Sequence, residues 1–279
     1  RIVSCADQGP ADALNRAFRA ARGTLIGCLN ADDLYPTGAL ARVVSAFAAH
    51  PQWLMIYGDS EEFSEETGLV QRFSTLLPSA VLNGFRPRYF LCKPAIVFRR
   101  SIGTLLGEFD PGWTTAFDFD YWLRAFVAFP HRIGYLPHVQ CRSRLQSSML
   151  SSQHCDQMPL ETTQLVARSV GGADGLRIHN YAFQLQHRIT GLPYGHCIAD
   201  HLQEFIEKVS PWLAPEALAH LRAIWRYAEP TALPQIQLSR LQVPSVSALS
   251  TPILPFRRRP FGVNLIGHAF EVFGIGEDI

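Results

Sequence analysis

Short apolar strands alternating with amphipathic helices predict an α/β fold, and three observations carry that reading. Residues 24–29, Thr-Leu-Ile-Gly-Cys-Leu, form an apolar run of the kind found in strands buried on both faces, and residues 53–57 form a second. The segments around them repeat their apolar residues at helical spacing instead. The chain also has the material for a core: 279 residues, 47% apolar and 18% charged, enough for one large domain or two smaller ones.

Within residues 11–22, Ala13, Leu14, Ala17, Phe18 and Ala21 fall at helical spacing, and Gly23 follows as an expected C-cap. The strand at 24–29 ends in Asn30-Ala31-Asp32-Asp33, before Pro36 and a second helix over 38–49. The strand at 53–57 ends in Gly58-Asp59, so two successive strands deliver carboxylates to the same edge. Ligands of open α/β sheets gather outside the carboxyl ends of strands, which makes that edge the candidate site. Residues 95–98 read as a further strand. Residues 118–129 read as a helix with Trp122, Leu123, Phe126 and Phe129 on one face, and Asp118 falls in its first turn, where the helix dipole favours a carboxylate.

A strand pair is expected over 131–144. Helical patterns then follow at 160–169, 181–190, 198–209 and 215–227, which read as a small helical appendage. From 229 to 260 the composition shifts to Pro, Ser and Leu, with the basic run Arg257-Arg258-Arg259, as in an interdomain linker. Residues 261–279 open with the strand-like Gly262-Val263-Asn264-Leu265-Ile266-Gly267 and reach Phe273-Gly274-Ile275-Gly276-Glu277, which reads as the start of a further domain.

Composition excludes some partners. Lys+Arg 25 against Asp+Glu 24 gives a net charge of +1, so no global field recruits nucleic acid or an anionic membrane, and phosphate recognition has to be local. The six cysteines are scattered without a C-x-x-C pair or finger-like histidine spacing, which suits reduced thiols and a cytoplasmic setting. No stretch approaches the ~20 apolar residues of a membrane span, and Arg1-Ile2-Val3-Ser4 is neither an initiator methionine nor a signal peptide. The chain reads as an excised piece.

The acids suit one kind of chemistry. Moving a sugar from a nucleoside diphosphate needs a counter-charge for the departing diphosphate, which hard oxygen ligands holding Mg²⁺ or Mn²⁺ supply, and a base for the acceptor hydroxyl. Asp32 and Asp33 after a buried strand suit the metal, and Asp118 or Asp120 at a helix start suits the base. Taken alone, Asn-Ala-Asp-Asp also serves as a turn and N-cap. Asp7 fits a Ser4-to-Gly9 turn as well as a ligand, Asp59 a strand end as well as a sugar contact, and Arg99 and Arg100 a salt-bridged surface as well as a phosphate.

The order of segments narrows the choice. Ser4-x-x-Asp7-x-Gly9, Asp12-Ala13-Leu14-Asn15, Ala21-Arg22-Gly23 and Leu29-Asn30-Ala31-Asp32-Asp33-Leu34-Tyr35 stand in this order. Tyr57-Gly58-Asp59, Lys93-Pro94-Ala95 with Arg99-Arg100, and Asp118-Phe119-Asp120-Tyr121-Trp122-Leu123-Arg124 follow. Together, over residues 1 to 150, they resemble family 2 glycosyltransferases of the GT-A fold.

The resemblance implies a GT-A-like mixed α/β sheet flanked by helices, with the helical appendage at its C-terminal side. It also implies an inverting transferase whose D-x-D-type motif falls on Asn30-Ala31-Asp32. Asp7, Asn30, Asp32 and Asp59 become the donor-binding residues, and Asp32 with Asp33 the metal contacts, with Asp33 the helper. Asp118 becomes the catalytic base and Asp120 a structural residue. The family's usual first acid is Asn30 here, the Glu that usually precedes the base is absent, and Arg144-Leu145-Gln146 stands where relatives often carry R-x-H.

The family's opening strands are missing, and residues 261–279 resemble the first strand and Gly-rich turn of a family 4, GT-B-type glycosyltransferase. The organisation expected is therefore an N-terminally truncated transferase domain at 1–150, an appendage at 151–228, a linker at 229–260 and the start of a second glycosyltransferase domain at 261–279. The expected partners are a nucleoside-diphosphate sugar and a carbohydrate or lipid-linked acceptor, in surface polysaccharide synthesis, with the protein in the cytoplasm or peripheral at the inner face of the membrane. The rival reading is a non-catalytic GT-A-like scaffold or sugar-binding module, which Asn30 and the missing Glu favour. A metal-dependent phosphohydrolase lacks a nucleophile motif beside the acids.

Overall fold

A computed structural model describes residues 6–73, 75–77, 91–145, 156–187, 198–226 and 263–266. They fall into two compact units. The first holds all the described strands and every described helix before residue 146; the second holds the helices from residue 157 to 226. The expected linker at 229–260 lies outside the described residues.

The first unit opens with α1 (Pro10–Ala20), where Pro10 takes the first-turn place in which its missing N–H costs nothing. Ala21 turns extended, at φ −67° and ψ 137°, so the helix stops short of the expected 22 and Gly23 is not its cap. Four wholly buried residues form β1 (Leu25–Cys28). Gly38, at φ 79°, then starts α2 (Ala39–Ala49). Strand β2 (Met55–Phe63) runs on through Gly58-Asp59 instead of ending there, and β3 (Val70–Phe73) folds back on it. After a 3-10 turn at Lys93–Ala95 come β4 (Ile96–Arg99), α3 (Ile102–Leu106), α4 (Phe117–Ala128) and β5 (Ile133–Arg144). The strand pair expected over 131–144 is this single long strand, because β2 pairs with both its first and its second half across two register shifts.

The sheet order is β3-β2-β4-β1-β6, with β5 on β2. Strands β1 and β2 both run antiparallel to β4, whereas β5 runs parallel to β2. Residues 263–266 form β6 (Val263–Ile266), which pairs in parallel with β1, Leu25 opposite Val263 and Cys28 opposite Ile266. The strand expected in this segment is thus hydrogen-bonded to the sheet of the first unit.

One face of the sheet is closed by α2 through Leu25, Val43, Phe47, Ile56 and Val97. Helix α4 lays Tyr121, Trp122 and Phe126 on the sheet, with ring centroids 5.9 and 5.7 Å from Phe98 and 5.8 Å from Tyr57 respectively. Arg99 donates to the carbonyls of Trp53 (2.7 Å) and Phe47 (3.2 Å), and Arg100 to that of Ala21 (3.3 Å), so both serve the backbone instead of a phosphate.

The second unit packs four helices, α5 (Gln157–Val170), α6 (Leu176–His187), α7 (Ile198–Val209) and α8 (Pro215–Arg226). They form where helices are expected, with the first two starting earlier than the apolar pattern suggests. Tyr181 packs on Phe205 at 4.7 Å between centroids, and its hydroxyl lies 2.7 Å from His201 Nε2.

Candidate active site

The register across β1, β4 and β2 gathers the candidate residues. Gly27 lies opposite Val97, which lies opposite Ile56, so the carboxyl end of β1 and the middle of β2 meet the start of β4. Asn30 lies two residues past the end of β1, and Asp59 two residues past the last β2 residue paired with β4. With neighbouring strands about 4.8 Å apart, their backbones stand roughly 10 Å from each other across β4.

Residues Asn30–Asp33 form a tight turn, closed by the Asp33 amide on the Asn30 carbonyl (3.2 Å) and by Asn30 Nδ2 on Asp33 Oδ2 (2.7 Å). Asp33 is buried at 4% exposure, and its Oδ1 accepts the Arg144 amide at 3.1 Å, with a further hydrogen bond from Ser143. Burial raises its pKa above the ordinary 3.8, while those hydrogen bonds pull the other way. Leu34 then exchanges two backbone hydrogen bonds with Arg142, at 2.9 and 2.8 Å. The turn is therefore fastened to the far end of β5. Asp32 sits partly buried at its tip, with Arg144 Nε on its carbonyl at 3.3 Å.

Asp59 lies inside β2 at an irregularity, where the register against β5 jumps from Gly58–Leu136 to Asp59–Val139. Gly58 allows the close approach of β5, since a Cβ there would stand 2.4 Å from Gln140 Cγ and 3.0 Å from the Leu136 carbonyl. The Tyr135 hydroxyl donates to Asp59 Oδ1 at 2.6 Å, and Arg72 of β3 lies 3.8 Å from Oδ2. Desolvation and this hydrogen bond push the Tyr135 pKa up to about 12.

Asp118 lies in the first turn of α4, 8% exposed, with Oδ1 accepting the Phe119 amide at 2.8 Å. Asp120 is also 8% exposed but is held by Arg124 at 2.8 Å, whose other nitrogens reach the carbonyls of Leu106 and Glu108. That ties α4 to the segment before it and gives Asp120 a structural partner. Cys28 links the helix to the strand: burial pushes its thiol up to about 11, Lys93 pulls it down and Asp118 pushes it further up, so both charges lie within reach of the end of β1. Asp7, by contrast, is exposed and accepts the Gly9 amide at 3.0 Å in a turn ahead of α1.

Lys93 stands in the Lys-Pro-Ala triplet of the sequence without a role assigned to it there, and it is one of only two lysines in the chain.

A divalent cation can be tested against this loop. Both Asp33 oxygens are engaged within the protein, and the Asn30 side-chain nitrogen is spent on Asp33. Among the described residues no group of three or more His, Cys, Asp or Glu side chains is gathered for a metal. Mg²⁺ commonly takes one or two carboxylates with substrate phosphates and waters completing its shell, and Asp32 with a donor diphosphate fits that pattern.

One comparison with known proteins covers the strands and loops of this edge. Residues 1–102 match the family model described as Glycosyl transferase family 2. The match includes Asp7, Asn30, Asp32, Asp33, Asp59 and Lys93 and stops before Asp118. The chain is similar to the PGL/p-HBAD biosynthesis glycosyltransferases of Mycobacterium tuberculosis and Mycobacterium bovis, at 26% identity over 164 residues, 56% of this chain and 60% of theirs. It thus spans less than two thirds of the length of these relatives.

Among solved structures, the S. aureus TarS 1-349 complex with UDP is similar at 13% identity and a TM-score of 0.46, covering 77% of this chain and 67% of that one. The Pyrobaculum calidifontis mannosyltransferase PcManGT, in complex with GDP-Man and Mn²⁺, is similar at 16% identity and a TM-score of 0.40, covering 78% and 59%. The open mixed sheet flanked by helices is the mixed α/β architecture that the sequence predicts. Among the described residues no helix is long and apolar enough to cross a membrane.

Proposed function

We propose that this protein is an inverting glycosyltransferase that moves a sugar from a nucleoside-diphosphate sugar to an acceptor hydroxyl, with Asp118 as base and Asp32 as the protein's metal ligand. What supports the reading is that the Asn30–Asp33 turn and Asp59 follow neighbouring strands at the start of β4, within the segment that matches the family 2 model, and that Asp118 acts on Cys28 at the end of β1.

The chemistry follows from those positions. The Asp118 carboxylate takes the acceptor's proton as its oxygen bonds to the anomeric carbon, and the bond from that carbon to the diphosphate breaks with its electron pair on the departing oxygen. A cation held by Asp32 would offset that charge when bound. Asp33 keeps the turn in place, Asn30 and Asp59 border the donor, and Asp7 completes the donor side. The acceptor is proposed to be a carbohydrate or lipid-linked hydroxyl, in surface polysaccharide synthesis. Peripheral attachment at the inner face of a membrane is part of that proposal. The Asn30 turn, closed on Asp33 where the family usually has an acid, favours the scaffold reading as the rival.

The test pairs Asp118→Asn with Asp32→Ala. Asp118→Asn is expected to keep donor binding and lose transfer by about 100-fold or more. Asp32→Ala is expected to lose metal-dependent donor binding. Undiminished transfer by Asp118→Asn would remove the base, and absence of transfer by the unaltered protein would favour the scaffold.

A further inference from the structure

Among the 25 basic side chains other than histidine, only Lys93 and Lys208 are lysines, so Lys93 is an exception in a chain that otherwise uses arginine. It opens the 3-10 turn before β4, and because β4 runs antiparallel to β1, that turn sits at the carboxyl end of β1 beside the Asn30–Asp33 loop. Its ammonium stands 5.8 Å from the ring centroid of Phe117, the residue before the proposed base. The side chain is partly buried, and among the described residues its ammonium has no carboxylate within ion-pair distance and no hydrogen bond. The nearby arginines are already bound: Arg99 to two carbonyls, Arg142 to Glu61 and Arg144 to Glu65.

A partly buried cation with no carboxylate in ion-pair contact is well placed to receive an anionic ligand. The ring face of Phe117 compensates that charge little at such a distance. We infer that Lys93 binds the diphosphate of the sugar donor, holding its phosphate oxygens at the end of β1 and taking up the negative charge that appears there when the sugar leaves. A compact ammonium on a flexible stem suits a phosphate approached from below a tight turn, where a planar guanidinium has less room. Lys93 and Asp118 both act on the Cys28 thiol at the end of β1, so the two charges lie near the same strand end. The inference rests on the transferase reading above and assigns that site a residue that the metal-binding motif does not contain.

Calorimetry on Lys93→Met and Lys93→Gln with UDP, GDP and the corresponding nucleosides tests it. Both variants are expected to bind the matching nucleoside diphosphate about 10- to 100-fold more weakly, the loss of a charge-assisted hydrogen bond, while nucleoside affinity stays unchanged. Lys93→Arg is expected to recover part of the loss. Diphosphate affinity equal to the unaltered protein's in both neutral variants overturns the inference and leaves the transferase reading standing. An equal loss for nucleoside and diphosphate also overturns it, because it marks damage to the loop. An unaltered protein that binds no nucleoside diphosphate and transfers no sugar overturns both.

Discussion

Asp33 shows how a residue of the right type can have a different use from its neighbour. Asp32 and Asp33 are adjacent acids after a buried strand, and residue type alone offers both to a metal. The structure separates them by burial: Asp33 is buried and accepts from Asn30, Ser143 and the Arg144 amide, whereas Asp32 is only partly buried at the turn's tip. Asp33→Ala should therefore destabilise the first unit by about 1–3 kcal/mol, the cost of leaving buried donors without an acceptor. Urea denaturation measures it. A variant of unchanged stability that loses metal affinity instead would make Asp33 a ligand. The sequence could not supply this distinction, because Ser143 and Arg144 lie 110 and 111 residues away along the chain from Asp33 and meet it only through β5.

Elements were legible where their period was clean. The buried run of β1, the helix carrying Asp118 and α7 all stand within a residue of the reading from pattern alone. The failures came where a tertiary partner decided the outcome. Strand β2 continues through Gly58-Asp59 because β3 and β5 pair with its second half, and residues 133–144 form one strand because β2 runs beside all of it.

The helical unit carries a pH signature of its own. His179 of α6 is 9% exposed, and burial lowers its pKa below the ordinary 6.5, with His220 of α8 adding to the shift and Asp174 opposing it. A group whose folded pKa is depressed gives stability that is present above its unfolded value and lost as pH falls through the folded one. The thermal midpoint of the helical unit is therefore expected to fall on acidification below about pH 6.5, and His179→Leu to flatten that slope. Calorimetric scans between pH 7.5 and roughly pH 5 would measure both. An unchanged slope in the variant would assign the acid sensitivity to another group.

At the scale of the whole molecule, the mixed α/β class was readable from the strands, the helices and their order. The partner of β1 was not, because no local signal links residue 25 to residue 263. If β6 guards β1 in solution, amides of Leu25–Cys28 should exchange faster in a chain lacking residues 250–279. Even one lost hydrogen bond of about 1 kcal/mol corresponds to about fivefold. Hydrogen–deuterium exchange resolves this, and unchanged exchange would return 263–266 to a separate domain.

The same pairing sets a schedule for synthesis. Leu25 meets Val263, so 238 residues separate the two partners along the chain (263 − 25). At about 5–20 residues per second, β1 would wait on the order of 12–48 s on the ribosome for its parallel neighbour. During that interval the backbone of Leu25–Cys28 lacks the hydrogen bonds that Val263–Ile266 give it, and a chaperone that binds extended segments has a place to act.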